Sequence, residues 1–194
     1  LTGMNFNQSG DYKIYFKARN KFGVEDDTPL EYDIKIIKPS YQKNVLLVDM
    51  TTDGIGLPGS PSDLDVDEFY KTIMNKNGIN DFDLWDVKAS GGFPPREVMA
   101  KYKMLLIYSD NSYSEPENKF FLKDILALEN YLDTGGRMII SGWIATNLFY
   151  NSSQAQDFFY KYSQATPDNI STSPVTLNTN HPAGYPGLRL DQAK

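Results

Sequence analysis

Four short segments, the apolar runs Val45–Val48, Met104–Tyr108 and Met138–Ile140 and the strand-like Phe82–Val87, recur with room for a helix between each pair, and this rhythm limits the possible folds more than any other feature. A run that is apolar on consecutive residues suits a strand covered on both faces, which is the situation inside a parallel sheet. The intervening stretches have helical spacing. Val66, Phe69, Tyr70, Ile73 and Met74 fall at i, i+3, i+4, i+7 and i+8, and Asn77-Gly78 ends that stripe. Gly91-Gly92 and Pro94-Pro95 open a short helix near Arg96 to Ala100. Asn118 to Leu132 carries Phe121, Ile125, Leu128 and Leu132 at helical spacing before Asp133-Thr134-Gly135-Gly136 closes it. Strand and helix alternating in this way predict an α/β domain with a doubly wound, mostly parallel sheet and right-handed crossovers.

Residues 1–38 read differently. Tyr12, Ile14 and Phe16 alternate with Lys13, Tyr15 and Lys17, and Tyr32, Ile34 and Ile36 alternate with Asp33 and Lys35, so both segments have the period of strands. Between them lie Asn20-Lys21-Phe22-Gly23 and Glu25-Asp26-Asp27-Thr28-Pro29, rich in turn formers. Lys38-Pro39-Ser40 is the expected linker, because Pro39 cannot donate to a strand ladder. The α/β domain is then expected over 39–194. Thr146 to Tyr162 is expected to be helical with a break near Asn151, and the stretch from about residue 165 to be an irregular tail interrupted by Pro167, Pro174, Pro182 and Pro186.

Composition narrows the function classes. The chain of 194 residues has a net charge of −6 and no cluster of Lys and Arg, which argues against a nucleic-acid surface. No apolar run reaches the roughly 20 residues of a membrane span. With no cysteine there are no disulfides, thiolate metal sites or cysteine nucleophiles. Thirteen Tyr and 11 Phe, with abundant Asn and Ser, fit a secreted or surface protein, and the sequence reads as a segment of a longer polypeptide.

Small residues at Ser141-Gly142 let the backbone turn at the carboxyl edge of the sheet, where open α/β folds place their ligands, so function is expected to concentrate at Ser141, Gly142 and Trp143. Two resemblances bear on this. The segment G-D-Y-K-I-Y-F-K-A-R-N-K-F-G, running into T-P-L-E-Y-D-I-K-I, resembles the last two strands of a bacterial immunoglobulin-like or fibronectin type III-like domain, which implies that earlier strands precede it. K-N-V-L-L-V-D-M at 43–50, D-L-W-D-V at 83–87 and Y-L-D-T-G-G-R-M-I-I-S-G-W at 131–143 resemble the class I glutamine amidotransferase-like fold, flavodoxin-like in strand order. Within that fold they look more like the divergent form found in secreted bacterial multidomain and peptidase-associated proteins. The resemblance implies a nucleophile at a tight turn built as small-x-nucleophile-x-small. That pattern falls on Ser141-Gly142-Trp143-Ile144-Ala145 and puts an indole, Trp143, at the nucleophile position. The family's partner is a His followed two residues later by Glu, whereas the lone histidine sits in Asn180-His181-Pro182-Ala183. Together these imply a non-catalytic structural or binding module of a secreted or surface bacterial protein, accessory to a peptidase or adhesin. No cofactor is expected. The expected partners are other domains of the same polypeptide and a protein or carbohydrate ligand.

Other constellations have competing readings. Ser141, His181 and an aspartate, Asp49 or Asp110, could form a hydrolase triad if they met in space. Asp63, Asp65 and Asp67 could bind calcium, although carboxylates in a first helical turn also complement the helix dipole. Gly54-Ile55-Gly56-Leu57-Pro58-Gly59, with Asp86 after the second strand, has dinucleotide spacing, but it begins well after its strand and contains a proline. Tyr113, Phe149, Tyr150 and Tyr185 could serve a sugar or protein surface.

Overall fold

A computed structural model describes residues 6–51, 54, 61–109, 115–142 and 152–163 of the chain. Two compact units divide it, Leu1–Ala145 and Thr146–Lys194. In the first unit, β1 (Gly10–Phe16) and β2 (Leu30–Ile36) pair antiparallel with Tyr12 opposite Ile34, Ile14 opposite Tyr32 and Phe16 opposite Leu30. This register collects the alternating apolar residues of both strands on one face. The Asn20 carboxamide stabilises the connection by accepting the N–H groups of Phe22 at 2.9 Å and Val24 at 3.1 Å, with Gly23 at φ 84°.

The four predicted runs become β3 (Lys43–Asp49), β4 (Phe82–Asp86), β5 (Tyr102–Tyr108) and β6 (Arg137–Ser141). All pair in parallel, in the order β4-β3-β5-β6. With α1 (Asp63–Lys76), α2 (Arg96–Met99) and α3 (Glu115–Asp133) as crossovers, this is the expected α/β sheet and is consistent with a flavodoxin-like fold. In the second unit, α4 (Ser153–Ser163) is the described helix, and its Phe158 ring meets those of Phe159 and Tyr162. The predicted break near Asn151 and the tail lie outside the described residues.

Strand alternation assigns the faces. Val45, Leu47, Leu106 and Tyr108 form one buried cluster with Val66 and Met74 of α1, and Tyr70 and Ile73 pack against it. The alternate residues Leu46, Val48, Leu105 and Ile107 are equally buried on the opposite face, the side of α2 and α3, where Phe93 meets Phe121 edge-on. Three details depart from the sequence reading. Helix α3 begins at Glu115, before Asn118. Phe69 is 58% exposed, because the buried stripe of α1 runs through Val66, Tyr70, Ile73 and Met74 and leaves Phe69 at its margin. Ile139 of β6 is 48% exposed: β6 is the last strand among the described residues, and α1 lies over β3 and β5.

The β1–β2 pair joins the parallel sheet at its amino edge. The N–H groups of Ser40 and Tyr41 both donate to the Ala100 carbonyl, at 2.8 Å and 3.2 Å, and the Tyr41 hydroxyl donates to the Thr134 carbonyl at 3.0 Å. Lys35 of β2 forms an ion pair with Glu97 of α2. The carboxyl edge, at the other end of the strands, is left to the site.

Candidate functional site

Register fixes which residues share the carboxyl edge. Asp49 pairs with Tyr108, and Tyr108 pairs with Ser141, so the three ends of β3, β5 and β6 form a row on the face covered by α1. Above that row, α1 contributes residues at i, i+4, i+7 and i+8, namely Asp63, Asp67, Tyr70 and Lys71. The helix is fastened at its start by two devices. Ser62 and Asp65 form a reciprocal capping box, and the N–H of Asp63 donates to the Gly54 carbonyl at 3.1 Å.

Three carboxylates meet as a result. Oxygens of Asp49, Asp63 and Asp67 all lie within 4.8 Å of one another, and among the described residues they are the acidic group able to share one cation. The Asp49 side chain is buried, and its Oδ1 accepts the N–H of Thr51 at 2.7 Å. Burial pushes the Asp49 carboxyl up from 3.8 to about 7; the Thr51 hydroxyl and N–H oppose it, and the charges of Asp67 and Asp63 push the same way as burial. Asp67 accepts from the Tyr108 hydroxyl at 2.5 Å and pairs with Lys71 at 3.2 Å. Burial, with the carboxylates beside it, raises the Tyr108 phenol far above its ordinary range, so it stays a neutral donor.

Next to this acidic centre is an aromatic and hydroxyl pair. The Tyr70 ring stacks on that of Tyr108 with centroids 4.1 Å apart, and the Tyr70 hydroxyl donates to Ser141 Oγ at 2.7 Å. Ser141 and Asp49 lie two strands apart, roughly 10 Å between backbones at ordinary strand spacing, with the Tyr108 column between them. Beyond Ser141 the chain turns at Gly142, whose φ is 101° and which sits so close to Ser109 that an added Cβ would lie 2.0 Å from the Ser109 carbonyl oxygen.

The structure thus brings Asp49, Asp63 and Asp67 together, places Ser141 apart from them, and turns Asp65 away into the cap with its carboxyl lowered by the Ser62 hydroxyl. Trp143, Asp110 and His181 lie outside the described residues, as do Tyr113, Phe149, Tyr150, Tyr185 and most of the 54–59 glycine segment. Asp86 is engaged in a turn, accepting the N–H of Ala89 at 2.8 Å. The role of Tyr70 and Tyr108 as the lining of this edge was not anticipated from sequence. Chemically, the edge offers hard oxygen donors and the phenol hydroxyls of Tyr70 and Tyr108. Comparison with family models, with curated proteins and with solved structures found no match. No helix among the described residues is long and apolar enough to cross a membrane.

Proposed function

We propose that the chain is a non-catalytic structural or binding module of a larger secreted or surface bacterial protein, accessory to a peptidase or adhesin. In this reading, an amidotransferase-like α/β domain follows the final strands of an immunoglobulin-like module. The observation that carries it is the engagement of Ser141: its hydroxyl accepts from Tyr70, whose ring is stacked on that of Tyr108. A nucleophilic hydroxyl needs a base as its acceptor, and Tyr70 is instead the donor in this bond. The chain has no cysteine to supply a thiol, and the resemblance puts an indole, Trp143, at the nucleophile position.

The multidomain part of the reading draws support from the β1–β2 pair. Ile14, Phe16, Leu30, Tyr32 and Ile34 line an apolar surface, with Phe16, Leu30 and Tyr32 each more than two-fifths exposed. Two strands alone are marginal in water, and further strands laid over that surface would complete a sandwich. The direct test is to assay the whole chain against glutamine and against activated esters. The expected result is no turnover above background. Turnover that disappears in Ser141→Ala would establish the chain as a hydrolase and overturn the proposal.

A further inference from the structure

We propose that the carboxyl edge of the sheet is a calcium site, in which Asp49, Asp63 and Asp67 hold the ion and the Thr51 hydroxyl lies beside them. The carboxylates come from two elements, the end of β3 and the first two turns of α1, so an ion here would fasten the helix to the sheet. Calcium takes oxygen ligands at about 2.3–2.6 Å in flexible geometry, whereas magnesium demands a near-ideal octahedron at about 2.0–2.1 Å. Three oxygens within 4.8 Å of one another can be reached by a single ion, and the looser calcium sphere is the one that takes such a set without fixed angles.

A second observation comes from Thr51, which is only 3% exposed. Its hydroxyl lies close enough to the Asp49 carboxyl to hold its pKa down, yet the two are not aligned as a full hydrogen bond. A buried hydroxyl without a partner is disfavoured, and an ion seated on Asp49 would accept its lone pair. Position supplies a third argument. The first strand of the parallel sheet, β3, is flanked by β4 and β5, so chain direction across the sheet reverses between β3 and β5; open α/β sheets bind ligands at such a switch point. Asp49 and Tyr108 end the two strands that border it. Although Tyr108 and Lys71 engage the two oxygens of Asp67, each carboxylate oxygen keeps a further lone pair for a metal.

The test uses the whole chain, stripped with EDTA and then titrated separately with CaCl2 and MgCl2 by calorimetry and thermal melting. Calcium is expected to bind with a Kd of about 1 mM or tighter, the range of extracellular calcium modules. It is expected to raise the Tm by about 5–10 °C at a hundredfold excess over Kd. Asp63→Asn and Asp67→Asn are each expected to weaken calcium at least about tenfold, while Asp65→Asn, in the neighbouring cap, leaves the affinity unchanged. Because either of the first two variants can lose the helix, circular dichroism accompanies each, and the one that folds decides. The proposal is overturned by no heat and no Tm shift at about 10 mM calcium. It is equally overturned by undiminished binding in the folded variants, or by magnesium binding more tightly than calcium.

Discussion

The substitution Asp49→Asn should stabilise the calcium-free chain at alkaline pH and remove most of its pH dependence. The carboxyl is 4% exposed, and its folded pKa is raised from 3.8 to about 7, chiefly by burial. Between those values the folded state binds more protons than the unfolded one, so this group's favourable contribution is present at low pH. It falls as pH rises from about 4 to 7 and is flat beyond. The full difference corresponds to roughly 4 kcal/mol. A carboxamide at this position would carry no charge and could still accept the Thr51 N–H that Asp49 Oδ1 accepts at 2.7 Å. A gain of about 2–4 kcal/mol at pH 8 is therefore expected, shifting the urea midpoint upward by about 1–2 M. The assay is urea unfolding of both proteins in EDTA, followed by circular dichroism at intervals between about pH 5 and pH 8. Wild type should lose stability relative to the variant across that window. Parallel profiles, or a variant less stable at pH 8, would refute the claim that a buried, strained carboxylate sits at this edge.

Gly142→Ala should cost about 3–5 kcal/mol, because its Cβ would meet the Ser109 carbonyl at 2.0 Å and the residue would have to hold φ near 101°; a urea-measured loss below about 1 kcal/mol contradicts the tight turn. A double-mutant cycle of Tyr70→Phe and Ser141→Ala should return a coupling of about 0.5–1.5 kcal/mol, as expected for a neutral hydrogen bond, and additive effects would break the pair. Phe16→Ser combined with Tyr32→Ser should lower binding of a hydrophobic dye without altering the far-ultraviolet spectrum, since both side chains are about half exposed; undiminished dye binding would show that the exposed apolar surface lies elsewhere.

Much of the fold was legible because burial on both faces leaves continuous apolar runs. Val45–Val48 and Met104–Tyr108, the two central strands, are accordingly the ones that match that signature in full. Met138–Ile140 carries the same signature but lies at the last described position of the sheet, beyond the strands that α1 covers. Hydropathy alone does not register strand order. The site was legible only in pieces. Asp63, Asp65 and Asp67 look like one acidic group when read in line, yet helical geometry turns Asp65 roughly 200° away from Asp63. Asp63 and Asp67, four apart, continue the stripe that Tyr70 and Met74 follow into the core. That continuation of an apolar stripe by acids is the signal sequence reading could have used. Asp49 was singled out as the polar residue ending β3, but its meeting with α1 depends on how the 51–62 connection returns, which no local pattern encodes. The Tyr70–Ser141 bond spans 71 residues and has no sequence signature.

Anomalous diffraction from a crystal of the whole chain grown with calcium tests the account most directly. A peak about 2.3–2.6 Å from oxygens of Asp49, Asp63 and Asp67, with Ser141 still bonded to Tyr70, is the expected result. A carboxyl edge without a peak, in which Ser141 instead contacts a histidine or carboxylate, would contradict both the ion and the non-catalytic reading.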